Sequence, residues 1–403
     1  MATPADAATY FRKGFGLKSE VLQDLASDYD GRLVDFLRAN DYTLAVGDVS
    51  IHLAKEFGFC YGVERAVEYA YQTRRKFPDK RIFLVGEIIH NPHVNARLRE
   101  MGIEILMPSD AGFDFGKVQA ADVVIMPAFG VTIGDFEALR AIGCVLVDTT
   151  CGSVLNVWKR VESYARDGFT ALIHGKYYHE ETRATASQVR KYPDGQYIIV
   201  RNMDEAQMVC GFLEGTVPAA AILEHFRDSV SPDFDPARHL RHIGVANQTT
   251  MLAGESLAIA EAVGATIARV RGDDARARDF RTFDTICSAT QERQDAVTEL
   301  LEQPLDVMVV IGGFNSSNTI SLAALCAERV PTYHIDTATG IDPDTGTVHY
   351  RRAGIHHDEA EQPNWLPAGR VRVGITAGAS TPNVKIGETV ARILATRGLV
   401  ADV

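Results

Sequence analysis

Short apolar and β-branched runs alternate along the chain with stretches whose apolar residues recur at helical spacing. The runs at 81–89, 121–127, 144–148, 170–173, 196–200, 243–246, 306–311 and 370–375 read as strands. Amphipathic helical patterns follow most of them, for example at 153–166, 252–270, 317–329 and 382–396. Such alternation predicts an α/β fold built on parallel sheets. Eight strands exceed one comfortable open sheet, so several small α/β domains are expected. Residues 1–50 read as a polar, acidic N-terminal extension with helical spacing at Val21, Leu25, Leu33, Phe36 and Leu37. The stretch 337–367, rich in Asp, Gly, Pro and His, breaks the rhythm and reads as a peripheral surface insertion before the last strand.

Composition narrows the class. No apolar run approaches the roughly 18–20 residues needed to span a bilayer. The first residues lack the apolar core of a secretory signal, and Asp24, Asp28, Asp30 and Asp35 disfavour a transit peptide, so the cytoplasm is the expected location. A net charge of −12 argues against a general nucleic-acid binder. Basic residues do cluster at Arg74, Arg75, Lys76, Lys80 and Arg81. They read either as a solvated helix end or as a docking patch for an acidic electron carrier, and the sequence leaves both open.

The candidate chemistry lies just after the strands, where α/β proteins bind ligands. Those positions carry His90-Asn91, Asp148-Thr149-Thr150-Cys151, His174-Gly175, His179-Glu180-Glu181, Asn247-Gln248-Thr249-Thr250, the run 312–318 ending Asn315-Ser316-Ser317-Asn318, and the run 376–381 with Ser380. Of six cysteines, Cys60, Cys151 and Cys287 each stand before a helical stretch, where a helix N-terminus favours the thiolate that binds metal. Cys144, Cys210 and Cys326 fall on apolar positions and read as core. No pair is spaced C-x-x-C, which disfavours a zinc ribbon or a thioredoxin-like motif. Three thiolates suit a zinc ion, or an iron–sulfur cluster with one iron left open as a Lewis acid. The hydroxyls, amides and histidines at the strand ends suit phosphate oxygens. A carboxylate beside a histidine, Glu181 and His179, suits proton delivery. Neither a P-loop nor a strand-following G-x-G-x-x-G is present.

Eight runs in order, GFCYGVERAV (58–67), EIIHNPHV (87–94), VDTTC (147–151), HGKYYHEETRATAS (174–187), ANQTTML (246–252), TICSATQERQDAV (285–297), GGFNSSN (312–318) and GITAGASTPN (374–383), resemble the 4-hydroxy-3-methylbut-2-enyl diphosphate reductase (LytB) family, from about residue 51 to 396. The resemblance implies three small α/β domains arranged as a clover leaf around a central [4Fe–4S] cluster with one open iron, held by Cys60, Cys151 and Cys287. The implied boundaries are 51–151, with the first two cluster cysteines, then 152–284, then 285–403, with the third cysteine and the insertion. The activity implied is reductive removal of the substrate hydroxyl, the last step of the non-mevalonate isoprenoid pathway, giving isopentenyl and dimethylallyl diphosphate. His90, Asn91, His179, Thr249, Ser316, Ser317, Asn318 and Ser380 would contact substrate and diphosphate. Glu181 would deliver protons, relayed through Thr249. A ferredoxin or flavodoxin-like carrier would supply electrons; neither nucleic acid nor membrane is an expected partner. The match is closer to the plant and cyanobacterial branch, with its HEET run, N-terminal extension and insertion. Phe129 stands where many bacterial members carry histidine, and Gly152 where many have proline. A non-redox iron–sulfur dehydratase and a non-catalytic zinc-stabilised protein are the competing readings.

Overall fold

The computed structural model describes residues 9–109, 112–353 and 358–402. Contacts divide the chain into two compact units, Met1–Tyr10 with Pro108–Cys287, and Phe11–Met107 with Ser288–Val403.

In the first unit four parallel strands are ordered Phe280–Thr282, Ile243–Asn247, Thr170–His174, Tyr197–Val200. Alternate residues serve opposite faces, as the pleat requires. Leu172, Ile198, Val200 and Val245 enter one apolar cluster, and Ala171, Ile173, Ile199 and Ala246 another. Burial on both faces explains why these strands read as unbroken apolar runs. A Cβ at Gly244 would lie 2.5 Å from the Tyr164 ring, whose hydroxyl donates to the Val245 carbonyl at 2.9 Å. Glycine therefore lets the Gly152–Arg166 helix seat closely on the sheet. Val123–Met126 and Val145–Asp148 form a further parallel pair.

The second unit is built on an eight-stranded sheet. Val307–Ile311 lies parallel to Thr332–Ile335 on one side and Val371–Ala377 on the other; Val371–Ala377 in turn pairs with Val49–Leu53. Thr43–Val46 closes a hairpin on that strand. Gly47, at φ 60°, takes the first position of its two-residue loop, where type II′ geometry calls for glycine. Ile82–Val85 and Ile103–Leu106 form a separate parallel pair around the Pro92–Glu100 helix.

The fold defines three regions that the sequence left coarse or open. The extension folds as the helices Lys18–Tyr29 and Arg32–Ala39, and its Val34 and Leu37 are fully buried in the sheet core beside Ile386 and Val390. The insertion is ordered: Ile341–Asp342, Thr347–Arg351 and Glu359–Pro363 add antiparallel strands, and Ile341, Val348, Trp365 and Leu366 join the same core. Its outermost strand carries exposed Glu359, Glu361 and Pro363, residues that suppress further edge pairing. In the basic cluster, Arg74 donates to the carbonyls of Phe77, Pro78 and Lys80, and Arg75 pairs with Glu20 at 3.5 Å. These contacts support the helix-end reading. Among the described residues no helix is long and apolar enough to cross a membrane.

Candidate functional site

In the first unit, Cys151 is the N-cap of Gly152–Arg166, with extended backbone and no hydrogen bond from its side chain to the helix. Its N–H donates to the Ala128 carbonyl at 2.9 Å, which fixes the loop after Val145–Asp148. His179 caps Glu180–Ser187, its Nδ1 accepting from the Glu181 N–H at 3.1 Å. An accepting Nδ1 leaves the neutral ring's proton on Nε2, a donor suited to a phosphate oxygen. Glu181 is only 1% exposed, and its Oε1 accepts from the Thr249 N–H at 2.6 Å. The Cys287 N–H donates to the carbonyl of that same Thr249 at 3.3 Å. Thr285, two residues before Cys287, is anchored by its hydroxyl, which accepts from the Asn247 N–H at 2.7 Å. Thr249 thus joins the candidate proton donor to the loop bearing a candidate ligand.

Gln248 organises this corner. Its Oε1 accepts from the Thr182 hydroxyl at 3.0 Å and the Lys176 N–H at 3.1 Å, and its Nε2 donates to the Thr250 hydroxyl at 2.9 Å. A Cβ at Gly175 would stand 2.8 Å from Thr182 Oγ1 and 3.0 Å from Gln248 Cβ, so glycine permits their meeting. Phe129 lies edge-on to His179, ring centroids 5.5 Å apart. His174 belongs elsewhere. It is fully buried, 2.8 Å from the Ser256 hydroxyl, and burial lowers its pKa to about 4, so it is a neutral core residue rather than a phosphate contact.

In the second unit, Cys60 is the N-cap of Tyr61–Lys76, and its N–H donates to the Ala379 carbonyl at 3.2 Å. Buried Arg293 clamps the preceding loop, donating to the Gly58 and Phe59 carbonyls at 2.7 and 3.3 Å. The Ala379 N–H donates to Asn318 Oδ1 at 2.9 Å, so Ala379 links the Cys60 loop to the polar run 312–318. His90 lies there too. Ser380 Oγ donates to its carbonyl at 3.1 Å, and its Nδ1 stands 2.9 Å from Glu87 and 3.2 Å from the Asn315 amide. Asn91 spends its Oδ1 on capping Pro92–Glu100, and Ser316 caps Ser317–Ala327. A Cβ at Gly313 would sit 2.5 Å from the His90 carbonyl, so the approach of these loops depends on that glycine. Asn318 Nδ2 is buried and has no hydrogen-bond partner among the described residues. A buried donor left unpaired is costly, which makes this amide a candidate to receive a ligand oxygen.

The other three cysteines behave as core. Burial raises the Cys144 thiol to about 11 and the Cys326 thiol to about 12, and also raises Cys210. None of the six cysteines forms a disulfide.

The sequence pattern of the LytB protein family matches residues 51–394. The chain belongs to the LytB family. It is 47% identical to the 4-hydroxy-3-methylbut-2-enyl diphosphate reductase of Gloeobacter violaceus, over 97% of this chain and 93% of that one. It is 46% identical to the reductase of Thermosynechococcus vestitus, over 97% and 95%. A solved structure described as (E)-4-hydroxy-3-methyl-but-2-enyl diphosphate reductase, the terminal enzyme of the non-mevalonate pathway, is 29% identical, with a TM-score of 0.51 over 87% of this chain and 99% of that one. The Plasmodium falciparum reductase, 20% identical with a TM-score of 0.63, shares the fold. These relatives bear out the resemblance, including its cyanobacterial leaning.

Sequence reasoning missed the LytB chain's supporting residues. Arg293, Glu87 and Thr182 each lie inside one of the eight family-like runs, yet only spatial neighbours reveal what they hold.

Proposed function

We propose that this LytB-family chain reductively dehydroxylates 4-hydroxy-3-methylbut-2-enyl diphosphate in the cytoplasm. Two electrons and two protons enter; the C–O bond to the hydroxyl breaks, one proton leaves with that oxygen as water, and the other goes to carbon. Protonation at either end of the allylic system gives isopentenyl or dimethylallyl diphosphate. Cys60, Cys151 and Cys287 would hold a [4Fe–4S] cluster. The donor set fits, because Cys60 and Cys151 are each the N-cap of a helix and Cys287 directly precedes Ser288–Leu300, while burial pushes Cys144, Cys210 and Cys326 towards the thiol. When bound, such a cluster supplies single electrons and one open iron as a Lewis acid for the substrate hydroxyl. A ferredoxin or flavodoxin-like carrier provides the electrons. The clover leaf of three domains, 51–151, 152–284 and 285–403, belongs to the same proposal.

The chain's own residues take the remaining tasks. His90, Asn91, His179, Ser316, Ser317, Asn318 and Ser380 anchor the diphosphate and the substrate, so that binding energy orients the reacting carbon. Glu181 delivers protons, with Thr249 holding its carboxylate and relaying them. The observation carrying the reading is that Thr249 receives the Cys287 N–H and gives its own N–H to Glu181, at 3.3 and 2.6 Å.

The test is anaerobic turnover of cluster-reconstituted protein with the diphosphate and a reduced viologen dye. Dye oxidation with both five-carbon diphosphates as products supports the reading. An intact brown cluster without dye oxidation would move the assignment to a non-redox dehydratase, and a colourless zinc protein would remove the cluster altogether.

A further inference from the structure

The extension's helix Lys18–Tyr29 has no side-chain N-cap and is short for a helix that stands alone, so its order comes from what it docks against. Lys18 and Glu20 pair with Glu68 and Arg75 at 3.1 and 3.5 Å, Val21 is buried, and the C-terminal residues Asp28 and Tyr29 reach furthest towards the functional loops. Tyr29 is 5% exposed. Its ring centroid lies 5.5 Å from Phe59, the residue before Cys60, and 6.0 Å from Tyr71 on the helix that Cys60 caps. On another side the same ring meets His93 edge-on at 6.1 Å, within the first turn of the helix that Asn91 caps. Polar contacts repeat the pattern. The Tyr71 hydroxyl stands 2.6 Å from Asp28 Oδ2 and 2.9 Å from the Tyr29 hydroxyl. A phenol has one proton, so Tyr71 donates to the carboxylate and accepts from Tyr29. Asp28 Oδ2 also accepts from Arg97 Nε at 2.8 Å, on the Asn91-capped helix. Each residue therefore reaches both helices whose first positions bear the functional loops.

We propose that the N-terminal extension is a positioning element, in which Tyr29 and Asp28 hold the Cys60 loop and the His90–Asn91 loop in fixed register within the second unit. The functional weight of those loops rests on the reductase reading; the brace itself does not. Val34 and Leu37, on the extension's other helix, serve stability in the sheet core. Tyr29 is distinct because its neighbours flank Cys60 and Asn91.

Tyr29→Ala separates the two roles, with Leu37→Ala as a control that removes buried area from the extension's other helix. Hydrogen exchange, read by mass spectrometry on cluster-free full-length chain, follows peptides spanning 57–62 and 87–95. Both contain reporter amides, since the Cys60 N–H is held by Ala379 and the Val94 N–H by Asn91 Oδ1. Tyr29→Ala is expected to speed exchange in both peptides at least tenfold, Tyr29→Phe much less, and Leu37→Ala to lower the melting temperature with little effect on either. In reconstituted enzyme, Tyr29→Ala should raise KM for the diphosphate about tenfold, with Tyr29→Phe restoring it. Wild-type exchange in both peptides of Tyr29→Ala, or equal acceleration in Leu37→Ala, overturns the brace and makes the extension a stabilising cover only. Because exchange is read without substrate or cluster, an inactive wild-type enzyme would count against the reductase reading and leave the outcome for the brace unaffected.

Discussion

Replacing Glu181 with glutamine isolates the proton from everything else the side chain does. The carboxylate is 1% exposed and accepts the Thr249 N–H at 2.6 Å. A glutamine of the same length can place its amide oxygen on the same donor, exchanging a charge-assisted hydrogen bond for a neutral one. That exchange costs about 1 kcal/mol. It is offset in part because a neutral amide is easier to bury than a carboxylate. Net stability should therefore change by no more than about 1 kcal/mol, a melting shift of about 1 °C for a chain of this length. Turnover should fall far more. A positioned general acid contributes roughly 10²- to 10⁴-fold, equivalent to about 3–5 kcal/mol in the barrier. Amides have no proton to give, so the whole of that factor is exposed to measurement. The assay pairs steady-state dye oxidation with iron and sulfide content of the same preparation. A cluster-replete Glu181→Gln protein with kcat within tenfold of wild type would refute Glu181 as the donor.

Three further outcomes are expected. Cys151→Ser should lose iron, sulfide and visible absorbance after reconstitution, while Cys144→Ser, at a buried strand start, should keep all three; equal loss in both would remove the distinction between ligand and core cysteines. Thr182→Val deletes the hydroxyl donating to Gln248, should cost about 1 kcal/mol in unfolding free energy, and should lower kcat with KM nearly unchanged; Thr182→Ser should restore both, and failure of that rescue would show that the hydroxyl is not what matters. His334 is buried with Nε2 2.8 Å from the Gly312 carbonyl, and burial depresses its pKa to about 4. The native state then binds fewer protons than the unfolded chain between the unfolded value near 6.5 and about 4, so the neutral ring's stability is fully present above the upper limit and is lost as pH falls through this window, by on the order of 3 kcal/mol. Denaturant titrations from pH 7 to 4 should show a shallower decline in His334→Gln; identical slopes would remove His334 as the source.

What the sequence made legible depends on how far apart the interacting residues are. The eight apolar runs all became strands, because a strand buried on both faces announces itself without reference to its neighbours. Tyr197–Val200 and Val307–Ile311 lie within one residue of the expected bounds. Val49–Leu53 was hidden, since His52 and Ser50 alternate with its buried residues and its partner is Val371–Ala377 from the far end of the chain. The insertion's strands were hidden for a related reason: they are short, the outer one is polar, and the Asp-, Pro- and Gly-rich run 342–346 that dominates the segment is the turn between two of them. In the site, cysteines and histidines at strand ends could be chosen by residue type. The roles of Arg293, Glu87 and Thr182 could not, because each depends on a carbonyl, an imidazole or an amide that only the fold brings near.

The pairing of Val371–Ala377 with Val49–Leu53 bears on how the chain is made. At roughly 5–20 residues added per second, a ribosome needs on the order of half a minute after releasing the early strand to deliver its partner. Through that interval Thr43–Val46 and Val49–Leu53 form only a hairpin, which is marginal alone in water. Its open edge is a template for mispairing with nascent neighbours. Emerging chains should therefore engage holdase chaperones over the 43–53 segment until termination. A circular permutant that begins at the insertion should shorten the wait and shed that dependence, because it brings Val371–Ala377 out ahead of its partner.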